Sequence, residues 1–239
     1  MRALILAAGF GTRLGEITQH QPKALVQVGN KPMIDFCIER LEEIGVTEIL
    51  INVHYKANLM YDYFLKNKYS SKIKLSEEPS LLGTAGTIKK HLKNLATEDF
   101  IVMHADNYFS GTLQPLLDGH LRRESGEFGT MATFTTNDPR SCGILELNQD
   151  GTIRAYFEKV QNPPGNLANA AIYFFTPQIA DPLNELTGEV LDIGKDLIPK
   201  ISSKLSTAYL GENFVDIGTP QGLARAEDLS VLNPQKFDN

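Results

Sequence analysis

The 239-residue sequence has no tryptophan and only two cysteines, Cys37 and Cys142. No Cys-x-x-Cys pair occurs, so neither a zinc site of the usual spacing nor a disulfide framework is encoded. No window approaches 18 apolar residues, which excludes a membrane-spanning helix. The N-terminal apolar run is short and follows a single arginine, too little for a secretory leader, so a reducing, cytoplasmic setting is expected. Positive charge is also scarce. There are 23 Lys and Arg against 29 Asp and Glu, a net −6. A nucleic-acid backbone binder carries a basic patch, so no nucleic acid and no membrane partner is expected. The two common glycine-rich phosphate motifs are missing too. A G-x-G-x-x-G from Gly9 needs glycine at 14, where Leu14 stands, with Gly15 one place late. The one Gly-Lys pair, Gly194-Lys195, is followed by Asp196 rather than Ser or Thr.

What is present begins at residue 3. An apolar run over 3–8 enters a tight Gly9-Phe10-Gly11 turn, followed by Thr12, Arg13 and then Pro22-Lys23. This predicts a buried strand ending in a loop whose backbone can approach an anion, since glycine has no Cβ and tolerates φ > 0. Successive N–H groups make such a turn an anion cradle, and Arg13 and Lys23 add charge. An ordinary strand–helix turn with exposed cations would show the same G-x-G.

The chain then alternates. Lys31-Pro32 opens a helix closed by Gly45, with Cys37 on its inner face. Residues 48–54 read as a strand, 57–66 as a helix, 73–76 as a strand, 88–95 as a helix and 99–104 as a strand. That order predicts parallel strands covered by helices on both faces. Ligands in such sheets sit at strand carboxyl ends, which would let the first loop and Asp106 share a crevice. A helix ends near residue 123. Strands are then expected over 130–135, 143–147, 153–159 and 168–175, with a hairpin turn at Asn148-Gln149-Asp150-Gly151. A helical stretch at 196–201, a strand at Phe214-Val215 and a helix over 220–229 complete the reading, with a frayed tail from 233. The fold class is therefore α/β, a Rossmann-like three-layer sandwich with a mostly parallel, mixed central sheet and a small antiparallel extension. With no linker or repeat, 1–239 reads as a single domain, with a first half over about 1–125 and a second over about 126–232. His54, His91, His104 and His120 share no metal-ligand spacing, His20 is expected in solvent, and Tyr61, Tyr63 and Phe64 are expected in the core.

The string Leu6-Ala7-Ala8-Gly9-Phe10-Gly11-Thr12-Arg13-Leu14, followed by Pro22-Lys23, resembles the signature of the sugar-phosphate nucleotidylyltransferases, which join an NTP to a sugar 1-phosphate. Four later stretches resemble that family's in the right order, from Leu4 to about Leu229. The resemblance implies that Leu6, Ala8, Gly9, Gly11, Thr12 and Arg13 cradle the triphosphate. It implies that Arg13 and Lys23 are catalytic and that Gly83, Thr84 and Gly86 of Leu82-Gly83-Thr84-Ala85-Gly86-Thr87 form the base pocket. It gives Asp106 and Asp216, the latter in Phe214-Val215-Asp216-Ile217-Gly218-Thr219-Pro220, as ligands of a Mg²⁺ cofactor. Magnesium commonly takes one or two carboxylates plus phosphate oxygens. Gly143, Glu158, Lys159 and Asn169 are implied as the sugar-phosphate site. Three positions depart from the family pattern: Ala105 and Ala171 replace glycines, and Cys142 stands where an aromatic is common. The expected reaction is guanylyl transfer to mannose 1-phosphate or a related hexose or heptose. Uridylyl or thymidylyl transfer to another sugar phosphate, such as N-acetylmuramate or glucose 1-phosphate, and a non-catalytic sensor of the same fold are the alternatives. A phosphocholine substrate is disfavoured because an aromatic cage is wanting. Homo-oligomerisation is left open.

Overall fold

In a computed structural model of the chain, residues 1–232 are described, so the tail from 233 lies outside the described residues. The first half contains β1 (Arg2–Leu6), α1 (Glu16–His20), the hairpin β2 (Gln27–Val28) and β3 (Lys31–Pro32), α2 (Met33–Glu43), β4 (Glu48–Val53), α3 (Ala57–Leu65), β5 (Ile73–Glu77), α4 (Thr84–Leu95), β6 (Phe100–His104), β7 (Asn107–Phe109) and α5 (Gln114–Leu121). The second contains β8 (Gly129–Thr135), β9 (Gly143–Leu147), β10 (Ile153–Glu158), β11 (Leu167–Phe175), α6 (Ala180–Glu185), α7 (Ile198–Ile201), β12 (Leu205–Tyr209), β13 (Phe214–Asp216) and α8 (Pro220–Leu232).

One nine-stranded sheet runs β10-β9-β11-β6-β1-β4-β5, with β8 paired to β11 and β12 to β8. β6, β1, β4 and β5 are parallel, as the alternating pattern predicts. β11 enters antiparallel to β6, and β9–β10 is the expected hairpin. Alternation along β1 explains the layers. Ala3 and Ile5 face a core that includes α2, α3 and α8, whereas Leu4 and Leu6 face one that includes α4, α6 and α7. Cys37 is fully buried in the first of these cores, as expected.

Four expectations are corrected. Lys31-Pro32 belongs to a two-residue strand, and α2 starts only at Met33. Helix α4 starts at Thr84, four residues before the expected position, because Gly83 supplies the turn and Gly86 sits inside the first turn. The strand at 214–216 does not join the main sheet but pairs with β7. Tyr61 is exposed, while Phe64 is buried. Strands β2, β3, β7 and β12 were not expected at all. The β7–β13 pair matters most. It sets Asp216 opposite Asn107, next to Asp106, although 110 residues separate the two aspartates in sequence.

Candidate active site

The first loop is built by two glycines in different ways. Gly11 adopts the left-handed conformation at φ 68° and ψ 23°, and a Cβ there would meet Thr18 Cγ2 at 2.9 Å. Thr18 Oγ1 donates to the Gly11 carbonyl at 2.9 Å and fixes the turn. Gly9 has no positive φ, and a Cβ there would meet nothing within 4 Å. Its value is the open face it presents to a cleft.

That cleft, of about 250 Å³, lies at the carboxyl ends of the parallel strands, as ligand sites in such sheets do. Leu6, Ala8, Gly9, Gly83, Thr84, Lys23 and Asp106 all line it. Gly83 has φ 76° and ψ 166°, a region open essentially to glycine alone. A Cβ on it would strike the Leu191 backbone. The close approach lets Leu191 bond three ways: its N–H donates to the Leu82 carbonyl at 2.9 Å, and its carbonyl accepts from Ala85 and Gly86 at 2.9 and 3.2 Å. Gly86 itself faces Leu82 and Leu191 rather than the cleft. Gly11 and Thr12 also line neither cleft described here.

Two residues of the floor were missed from the sequence. Glu78 is 1% exposed. Its Oε1 accepts from Thr87 Oγ1 at 2.6 Å and Asn52 Nδ2 at 3.1 Å. Asn52 Oδ1 in turn accepts from the Ala7 N–H at 2.8 Å, so one polar chain ties the first loop to the start of α4. Oε2 of Glu78 has only a long contact, 3.4 Å from the Leu82 N–H. A polar Asn52 inside the apolar EILINV strand was the legible signal.

A second cleft of about 220 Å³ adjoins the first and shares Thr84, His104 and Asp106 with it. Gly143, Glu158, Lys159 and Asn169 all line it, as do Arg13 and Asp216. Asn169 Nδ2 donates to the Tyr173 hydroxyl at 2.7 Å, and Tyr156 donates a short hydrogen bond to Glu158 Oε2. Lys159 and Ala171 are two of the three non-glycine residues with positive φ among the described residues, at 49° and 50°. Both flank this cleft, where strain of this kind concentrates in functional sites. Ala105, by contrast, has ordinary backbone and donates to the Leu6 carbonyl at 3.0 Å.

The clefts meet at a charged cluster. Lys23, 9% exposed, places Nζ 2.5 Å from Asp106 Oδ2 and 3.2 Å from Asp216 Oδ1. Arg13 Nη2 stands 3.4 Å from Asp216 Oδ2. Gly218 permits the convergence, since a Cβ there would lie 2.6 Å from Lys23 Nζ. Thr219 caps α8 through the Gly222 N–H at 3.0 Å, which frees Asp216 from that duty. Burial pushes the Asp106 carboxyl up, but Lys23, His104 and its hydrogen bonds outweigh it, and the net shift is downward. Burial pushes His104 down against the opposing pull of Asp106, Asp192 and Asp216. Its Nε2 is buried with no hydrogen-bond partner among the described residues. No group of three or more His, Cys, Asp or Glu suited to a metal occurs among the described residues. Two carboxylates converging on one cation nevertheless fit magnesium, which completes its shell with water and phosphate.

No helix among the described residues is long and apolar enough to cross a membrane. Over 229 residues the chain is 34% identical to the probable mannose-1-phosphate guanylyltransferase 3 of Oryza sativa subsp. japonica. It is 33% identical to the mannose-1-phosphate guanyltransferase of Aspergillus oryzae over the same length. Each match covers 92% of this chain, which spans 62% of the length of those relatives. The fold matches a putative glucose-1-phosphate thymidylyltransferase from Bacillus anthracis, solved in complex with a sucrose. That match has a TM-score of 0.86 at 22% identity and covers 100% of this chain and 98% of the other. It also matches HddC from Yersinia pseudotuberculosis, in one crystal structure and in another complexed with GMP-PN, with a TM-score of 0.78 at 25% identity and coverage of 95% and 98%. The Nucleotidyl transferase family model matches residues 2–230, and the chain, with its glycine turn and two clefts, belongs to that family.

Proposed function

We propose that this chain transfers the guanylyl group of GTP to mannose 1-phosphate or a close hexose or heptose analogue, releasing pyrophosphate. The observation that carries the reading is the junction of two clefts at Lys23, Asp106 and Asp216, with Arg13 alongside. One cleft is lined by Leu6 of β1, Ala8 and Gly9 of the first loop, and Gly83 and Thr84. The other holds acceptors and an amide suited to hydroxyls.

In the proposed reaction an oxygen of the sugar phosphate attacks the α-phosphorus. The bond from that phosphorus to the oxygen bridging it to the β-phosphate breaks, and its electron pair leaves with pyrophosphate. Both reactants are anions, so the protein's task is positioning and charge stabilisation. Lys23 and Arg13 supply fixed positive charge at the junction, and the open face of Gly9 admits the phosphates. Asp106 and Asp216 would hold Mg²⁺, which when bound neutralises phosphate charge. The Lys159 ammonium, more than half exposed at the rim, would meet the sugar phosphate.

Guanine is favoured over uracil or thymine by Glu78. An ionised carboxylate only accepts. Guanine offers two adjacent donors, N1–H and the N2 amine, whereas uracil and thymine offer one, N3–H. The names of the two curated relatives, both named as mannose-1-phosphate guanylyltransferases, support this base and sugar. Pyrophosphate release from four NTPs against several sugar 1-phosphates tests the reading. GTP with a neutral hexose or heptose phosphate is expected to lead, and Glu78→Gln to narrow the preference of GTP over UTP. A preference of wild type for UTP or TTP would discard the guanylyl assignment.

A further inference from the structure

One charged residue of the second cleft has no part in the reaction as proposed. Asp192 precedes the turn at Ile193–Leu197, and its Oδ1 caps that turn by accepting from the Lys195 N–H at 3.0 Å. Its Oδ2 accepts from Thr84 Oγ1 at 3.3 Å. The same Thr84 oxygen accepts from the Ile193 N–H at 2.8 Å. The carboxylate is thus tied to the base-side loop and held against the cleft wall. It has about four lone-pair sites, of which these bonds use two.

The surroundings give the free sites a direction. Asp192 lines the cleft together with Glu158. Both carboxylates also act on the buried Tyr173 phenol and raise its pKa, after the larger effect of burial. Two glycines keep the space around Glu158 open: a Cβ on Gly194 would lie 2.7 Å from its Oε2, and one on Gly143 2.8 Å from the same atom. Gly194 is two residues beyond Asp192, so the segment that brings the second carboxylate also makes room at the first. Arg13 and Lys23 are at the phosphate junction, and Lys159, exposed at the rim, places its Nζ 3.5 Å from Glu158 Oε1. Asp192 makes no ion pair among the described residues, so it is the acceptor of this cleft whose charge no cation offsets.

We propose that Asp192 is a specificity-determining acceptor for a sugar hydroxyl, positioned by Thr84, and that with Glu158 it selects neutral, hydroxyl-rich sugar phosphates. This rests on the reading of the chain as a sugar-phosphate nucleotidylyltransferase. Hydroxyls donate to carboxylates in strong charge-assisted bonds. A sugar bearing its own carboxylate would meet the like charge of Asp192, which is how a site rejects a wrong partner. N-acetylmuramate 1-phosphate and a uronic acid 1-phosphate are such sugars.

The experiment uses the full chain, GTP and Mg²⁺, and reads pyrophosphate release. Its substrates are mannose 1-phosphate, a set of its monodeoxy analogues and N-acetylmuramate 1-phosphate. Asparagine caps a helical turn about as well as aspartate, so Asp192→Asn keeps the turn and removes the charge. Its KM for mannose 1-phosphate is expected to rise about tenfold or more, the scale of a hydrogen bond to a charged group. The KM for GTP is expected to stay within about twofold. One monodeoxy analogue should be disfavoured by wild type and not by Asp192→Asn, and the acidic sugar should gain relative to mannose 1-phosphate. Thr84→Val should raise the KM for the sugar phosphate in the same direction, with Thr84→Ser restoring it. If Asp192→Asn matches wild type in sugar KM and across the deoxy series, Asp192 is only a cap and the proposal is wrong. If wild type releases no pyrophosphate with GTP and any of these sugar phosphates, the guanylyl reading falls first and this proposal with it.

Discussion

Replacing Lys23 by methionine removes the one ammonium held between Asp106 and Asp216 while keeping most of the apolar stem. The two contacts, at 2.5 and 3.2 Å, each carry a gross attraction of about 5–7 kcal/mol at an effective dielectric of 20. Most of that is cancelled by desolvation, and removing one partner of a buried pair costs about 3–5 kcal/mol. Asp216 is half-exposed, so its share approaches the surface value, under about 1 kcal/mol. The expected loss of folding stability is therefore about 2–4 kcal/mol without metal. Two carboxylates left facing each other should then draw a divalent cation. Denaturation of Lys23→Met with and without millimolar Mg²⁺ should show most of the loss recovered, and a larger Mg²⁺ response than wild type. Turnover should fall by orders of magnitude even where stability is restored. A variant as stable as wild type and indifferent to Mg²⁺ would refute the charge cluster as described.

Three further outcomes are expected. Gly83→Ala should destabilise by about 2–4 kcal/mol from the forced backbone and weakened bonds at Leu191, and KM should rise for both substrates; chemical denaturation and steady-state rates check this, and unchanged values would deny the close approach. Ala171→Gly, which relieves a φ of +50°, should stabilise by about 0.5–1 kcal/mol, read from the urea midpoint; a loss of stability would mean the left-handed conformation is not strained. His120 is fully buried, its Nε2 2.9 Å from Asp99 Oδ2, and burial holds its pKa below 6.5 despite that partner. Below pH 6.5 the unfolded chain binds a proton that the folded one refuses, so stability should fall as pH drops from 6.5 toward the lowered folded-state pKa. Thermal unfolding of His120→Gln should show a flatter slope in that window, and an identical slope would clear His120 of the effect.

Much of the site was legible because strand-then-glycine and strand-then-aspartate are local patterns. Gly9 and Asp106 could be placed at strand ends from hydrophobic runs alone, whereas Lys23 needed the family resemblance. Asp216 needed the family resemblance, because the three-residue strand that positions it is too short to show a period. The first turn of α4 reads as a loop, since Gly83 and Gly86 look alike in sequence, yet only Gly83 has φ > 0. Glu78 was lost in the Glu77-Glu78-Pro79 turn. Nothing local tells a buried carboxylate from an exposed one; its burial comes from Asn52 and Thr87, 26 and nine residues away. Asp192 carries no local signal in sequence, and its partner Thr84, 108 residues distant, sets it against the cleft.

The most direct measurement is pyrophosphate release by the intact chain with Mg²⁺, each of four NTPs and a panel of sugar 1-phosphates. Release should require both substrates, be fastest with GTP and mannose 1-phosphate or a close neutral analogue, and be lost in Lys23→Met. No release from any pair, or release that continues undiminished without Lys23, would contradict that expectation.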